Sequence, residues 1–180
     1  MIAGSAFCSA PRPALAEPWI LVQFNEHPIT TGIDEMLKRR GSAVWNGTGA
    51  EGSGRVSTFS GALKDQPYST AMRFQSEDGR AGTNPEELIA AAHAACYNMA
   101  LSFQLTGAGF PPEELSTQAV LTMESEGVHW TITAVRLELR GRVPDISAEQ
   151  FQELALAAKA GCPVSKVLNA EITLDAQLAS

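Results

Sequence analysis

A chain of 180 residues, 44% hydrophobic and 18% charged, is long enough for one globular domain with a core that needs neither disulfides nor metal to fold. Thirteen Lys and Arg against twenty Asp and Glu give a net charge of -7, which argues against nucleic acid as a partner because phosphate neutralisation needs clustered positive charge. Three cysteines are too few for a disulfide-stapled secreted scaffold, and no unbroken run of about 18 apolar residues offers a membrane span.

Residues 1–35 read as an extension. The first sixteen are rich in Ala and Pro, and Ala14-Leu15-Ala16 looks like a cleavage site. However, no basic segment precedes it, and Pro11 and Pro13 interrupt any apolar stretch, so a secretory signal is not expected. The segment reads as a disordered extension or as sequence ahead of a true start at Met36, and Cys8 within it is assigned no role. The folded domain is expected over 36–180.

From Gly41 the pattern is regular. Residues 42–46 and 54–60 alternate polar and apolar side chains as half-buried strands do, with Gly47, Gly49, Gly52 and Gly54 punctuating the turn between them. Residues 68–75 make a third expected strand. Thr83-Asn84-Pro85-Glu86 is a helix start, with a cap, an early Pro and an acidic first turn. That helix is expected to run to about Leu105 and to end near Gly107 and Gly109. Leu88, Ala92, Ala95, Cys96, Met99 and Phe103 recur along it at spacings of three and four. Ala90 to Ala92 with Ala94 and Ala95 leave most of its circumference small and apolar, as in a central, close-packed helix.

Two longer strands, 116–124 and 129–140, flank a turn at Gly127. Ser147 with Gln150 is a capping box that opens a helix through Ala160. Gly161 stops it, Cys162-Pro163 restarts a short helical piece to about Asn169, and 171–177 is a last strand. Strands, helix, strands, helices, strand is an α+β order.

The chemistry rests on two cysteines. Cys96 lies mid-helix on an apolar face, where an inert core thiol is the better account from position alone. Cys162 opens a helical piece, where unpaired amides favour a thiolate. The two are 66 residues apart, neither belongs to a C-x-x-C pair, and His93 and His129 are too few to complete a metal site, so no metal is expected. Two chemistries remain open. In the first, a thiolate attacks a peroxide, a cation holds that thiolate, a polar group positions the cation and a second thiol resolves the sulfenic acid. Arg73 could be the cation and Glu86 its bidentate partner, although taken singly a strand-surface charge explains the first better and helix capping the second better still. In the second, His93, three residues before Cys96 on the same helix face, makes a Cys–His nucleophile for hydrolysis or acyl transfer. A non-enzymatic dimeric stress protein with merely structural cysteines is a third possibility.

TNPEELIAAAHAAC (residues 83–96) and AGCPVSKVLNAEITLDAQL (160–178) together resemble the OsmC/Ohr family of thiol-dependent peroxidases, and the likeness extends upstream through VSTFSGALKDQPYSTAMRF (56–74) to GSAVW at Gly41. AAHAAC, GCPVSKVL and the position of Arg73 just before the helix resemble the osmotically inducible OsmC branch more than the organic hydroperoxide resistance branch. The resemblance implies an OsmC-like fold, with antiparallel sheets wrapped around a long central helix in an intertwined homodimer. It implies Cys96 as the peroxidatic thiol, Cys162 as the resolving thiol, Arg73 as the group that stabilises the thiolate and Glu86 as its orienting partner, with Arg55 and Arg80 the competing arginines. It also implies a cytoplasmic enzyme of oxidative or osmotic stress defence that needs no cofactor. Organic hydroperoxides would be reduced to alcohols, hydrogen peroxide more slowly, through an intramolecular Cys96–Cys162 disulfide that an external dithiol re-reduces.

Overall fold

The computed structural model describes residues 37–76 and 80–179; the reading of residues 1–35 and of Met36 as a start lies outside them. The chain forms two three-stranded sheets and four helices within those bounds. Strands β1 (Gly41–Asn46), β2 (Ser53–Thr58) and β3 (Gln66–Ser69) make an antiparallel sheet in that order. Helices α1 (Thr70–Phe74) and α2 (Pro85–Gly107) follow. Strands β4 (Glu114–Glu126) and β5 (His129–Arg142) pair antiparallel about the Gly127 turn, where φ is +66°. After helices α3 (Ala148–Gly161) and α4 (Pro163–Val167), β6 (Glu171–Leu178) pairs with β5 in parallel. A parallel return needs a crossover, and α3 with α4 supplies it.

The expected third strand is half wrong. Pairing stops at Ser69, whose Oγ accepts the Met72 amide at 3.0 Å and caps a short helix over Thr70–Phe74. Tyr-Ser-Thr-Ala-Met-Arg-Phe alternates too briefly to separate strand from helix, and the cap decides it. Arg73 therefore stands in the last turn of a helix, not on a strand. The other elements lie where their caps place them: Asn84 Oδ1 accepts the Glu87 amide at 2.8 Å at the head of α2, and Ser147 caps α3. The β4–β5 hairpin is longer than its alternation suggests, and α4 stops at Val167.

The core lies between the second sheet and two helices. His93, Tyr97, Leu101 and Leu105 recur every four residues along α2 and are all buried. They pack with Val135, Leu137 and Leu139, alternate residues of β5, and with Phe151, Ala155 and Ala158 of α3. Gly141 of β5 lets the Phe151 ring approach, since a Cβ there would stand 2.7 Å from it. Two surfaces remain uncovered. The opposite side of α2 exposes Ala92, Ala95, Met99 and Phe103, the last two at 64% and 66%. The first sheet packs chiefly on itself and α1, and β1 is exposed along its whole length, Val44 and Trp45 included. By length and composition α2 is the one described helix that could cross a membrane, but its buried stripe is spent on the sheet and α3.

Candidate active site

The four candidate residues fall into two pairs. Cys96 projects from the first half of α2, three residues after His93, and is partly exposed; Cys162, at the head of α4, is fully buried. Both thiols are free, Cys96 packs against the core cluster that contains Cys162, and each sulfur acts on the other's ionisation. A long helix and a crossover helix pinned to the same sheet are what bring positions 66 residues apart together.

The two thiols are not equivalent. Burial pushes the Cys96 thiol up, and the adjacent Cys162 adds to this against a single opposing contact from the Val164 amide. Cys162 is also penalised by burial, yet its surroundings, Ser165 first, then Cys96 and Val164, bring it below the ordinary thiol value. A helix start favours a thiolate through the partial positive charge of its unpaired amides. Of the two, Cys162 is therefore the more readily ionised. Tyr97 feels the same charge: burial first, then Cys162, raises its phenol, and its hydroxyl donates to the Ala155 carbonyl at 3.2 Å.

The second pair is an ion pair. Arg73 donates from Nε to Glu86 Oε2 at 3.0 Å and from Nη2 to Oε1 at 2.5 Å, a two-bond fork, with Glu86 in the first turn of α2. Apolar groups frame it. The guanidinium lies 4.8 Å from the centre of the Phe74 ring, Phe74 packs on Trp130 at 5.1 Å, and Met123 Sδ is 3.8 Å from Nη2. Arg73 is not among the groups acting on either sulfur within the chain. Arg55, a competitor on sequence grounds, instead donates to the Asp65 carbonyl at 3.2 Å.

His93 does not serve Cys96. It is fully buried, and its Nε2 stands 2.8 Å from Ser165 Oγ. Its Nδ1 has no hydrogen-bond partner among the described residues, so neither ring nitrogen engages the thiol that a Cys–His nucleophile would need it to activate. His129, as expected of a turn residue, begins β5 and is exposed. Among the described residues no three His, Cys, Asp or Glu side chains cluster as a metal site would require.

Sequence reasoning overlooked Ser165, the Val164 amide, Trp130 and Met123. Ser165 had no local signal, because only the packing of α4 on α2 brings its hydroxyl to His93, 72 residues away in sequence. Trp130 and Met123 had none, because only the hairpin register brings them to Arg73.

Residues 76–177 match the family described as OsmC-like protein. The chain is 49% identical over 144 residues to Peroxiredoxin OsmC of Escherichia coli (strain K12), covering 80% of this chain and 99% of that protein. It is 28% identical over 126 residues to the organic hydroperoxide resistance protein OhrB of Bacillus subtilis (strain 168), covering 70% and 89%. The crystal structure of that OhrB superposes with a TM-score of 0.59 at 25% identity, covering 77% of this chain and 98% of its own.

Proposed function

The chain belongs to the OsmC-like protein family, and from that premise we propose how its residues carry a peroxidase cycle. It is a thiol-dependent peroxidase, an oxidoreductase of the OsmC branch that consumes a hydroperoxide and a reductant. Carrying this reading is the contact between one accessible and one buried free thiol.

Cys96 is the peroxidatic thiol, since a bulky peroxide can reach it and cannot reach Cys162. Its proton passes to the Cys162 sulfur, and the Cys96 thiolate attacks the outer peroxide oxygen. The O–O bond breaks, Cys96 becomes a sulfenic acid, and the departing alkoxide takes the proton that Cys162 had received, leaving as the alcohol and returning Cys162 to its thiolate. Arg73, held flat by the fork to Glu86, stabilises the charge on the thiolate and on the leaving oxygen. The Cys162 thiolate then attacks the Cys96 sulfur, expelling hydroxide that leaves as water, and an external dithiol re-reduces the disulfide by exchange. Phe74, Trp130 and Met123 beside Arg73 suit an alkyl tail, so organic hydroperoxides are better substrates than hydrogen peroxide.

An intertwined homodimer is part of the same reading. The exposed stripe of α2 and the uncovered first sheet are apolar surfaces that a second copy would bury. Such a copy would also complete the site, bringing an ion pair to thiols that lack one within their own chain. A cytoplasmic location fits two thiols kept reduced, and residues 36–180 are the peroxidase domain.

The test is direct. Reduced protein mixed with cumene hydroperoxide should lose two thiols per chain and yield a Cys96–Cys162 disulfide by mass spectrometry. Retention of both thiols, or turnover that survives Cys96→Ser, would sink the reading.

A further inference from the structure

Within this chain, the sulfur that meets the Arg73–Glu86 fork belongs to Met123. On β4, Leu115, Thr117, Ala119, Leu121 and Met123 alternate along the partly buried face. The pairing with β5 shifts between Thr122 and Met123 and skips Thr133. A bulge of this kind bends its strand and re-aims the side chain beside it, and Met123 reaches the guanidinium just past it. Arg73 Nη2 gives one hydrogen to Glu86 Oε1 at 2.5 Å and turns the other to Met123 Sδ at 3.8 Å. The Phe74 and Trp130 rings close the other side.

We propose that Met123 is an oxidisable sulfur of the peroxide site, a modification site whose sulfoxide slows the enzyme when hydroperoxide outruns the reductant. The proposal rests on the reading of Arg73 as the group that holds the leaving oxygen. A hydroperoxide held there stands within reach of the Met123 sulfur as well. A thiolate is the better nucleophile, so Cys96 takes the outer oxygen while it is reduced. Once Cys96 is locked in a disulfide, the thioether is the sulfur left to react. One of its lone pairs faces Nη2 and the other attacks: the S–O bond forms and the O–O bond breaks. The alkoxide departs against Arg73 and takes the proton that the transferred oxygen carried. One hydroperoxide and one thioether thus give one alcohol and one sulfoxide, a two-electron exchange that needs no further reactant.

The product changes the site that made it. A thioether sulfur is a weak acceptor, whereas a sulfoxide oxygen is a strong one, and an Nη2 hydrogen is already turned toward it. The charge-assisted bond that results draws the guanidinium away from the next peroxide. It also sets a polar group into the apolar frame of Phe74 and Trp130, where an alkyl tail would lie. Both effects lower turnover of a bulky organic hydroperoxide. Sulfoxide reductases reverse the change, unlike the oxidation of a cysteine to its sulfinic acid. Met72 and Met99 provide internal comparisons: a Cβ on Gly82 would stand 2.6 Å from Met72 Sδ, and Met99 stands out from α2 at 64% exposure.

The experiment uses the full-length protein, oxidised beforehand with diamide so that its thiols are held as disulfide. Excess cumene hydroperoxide is then added, and sulfoxide at each methionine is followed by peptide mass spectrometry. Met123 should oxidise about tenfold faster in wild type than in Arg73→Ala, while Met72 and Met99 oxidise at the same rate in both. After removal of peroxide and reduction with dithiothreitol, kcat/KM for cumene hydroperoxide should be about three- to tenfold lower, the scale of one redirected hydrogen bond to a charged group. Treatment with methionine sulfoxide reductases should restore it. Met123→Leu, from whatever activity it starts, should lose none of it through the same treatment. Met123 oxidation that is indifferent to Arg73, a Met123 sulfoxide that leaves activity unchanged, or an equal loss in Met123→Leu overturns the proposal. Untreated protein is assayed alongside. If wild type does not consume cumene hydroperoxide, or Arg73→Ala consumes it as fast, the peroxidase reading of the site falls; normal turnover with Met123 left as the thioether overturns this proposal alone.

Discussion

Two sulfurs in contact share one proton more readily than either ionises alone, and the environment decides which of them holds the charge. Here Cys162 is the more readily ionised of the two, and its charge pushes the Cys96 thiol up. Cys162→Ser removes that neighbour. The sign is unambiguous: losing a nearby negative charge eases ionisation, so the Cys96 midpoint should fall when thiolate absorbance is followed against pH. A midpoint that stays put or rises would mean the charge does not reside on Cys162. At the ion pair, Arg73→Ala should lower kcat/KM for cumene hydroperoxide by about 10²-fold, the usual effect of removing a preorganised charge-stabilising donor. Arg73→Lys should recover only part of it, because an ammonium cannot reproduce the two-bond fork to Glu86.

Elements place these residues through their caps. Ser69 turns the chain from β3 into α1 and so sets where the Arg73 guanidinium points. Ser69→Ala should cost about 1 kcal/mol of stability and lower activity more than that loss of folded protein explains, as measured by urea unfolding beside peroxidase assays. Gly141→Ala tests the core from the other direction. Its new methyl would press on the Phe151 ring and should destabilise the fold by about 1–3 kcal/mol, read as a lower thermal midpoint. The strands and long helices were legible in the sequence because alternation and caps are local signals: Asn84 and Ser147 cap α2 and α3 where their spacing says they should. Thr70–Phe74 was not, since five residues carry too little periodicity for either element and only the Ser69 side chain tips the balance.

Across the whole molecule, one chain leaves its best apolar surfaces bare. Met99 and Phe103 lie on the face of α2 opposite the stripe that packs on the sheet, and β1 has no layer over it. Met99→Glu with Phe103→Glu should convert a dimer to monomer by light scattering and depress peroxidase activity in step. A double variant that remains dimeric would place the interface elsewhere. The sequence alone determined the α+β order, the starts of α2 and α3 and the scarcity of cysteine that singled out Cys96 and Cys162, because these depend on neighbours a few residues apart. Only the tertiary structure decided that the two thiols come together, that Cys162 is the more readily ionised of them and that His93 meets Ser165. Those outcomes depend on groups 66 and 72 residues apart being pinned to one core, which no pattern of near neighbours encodes.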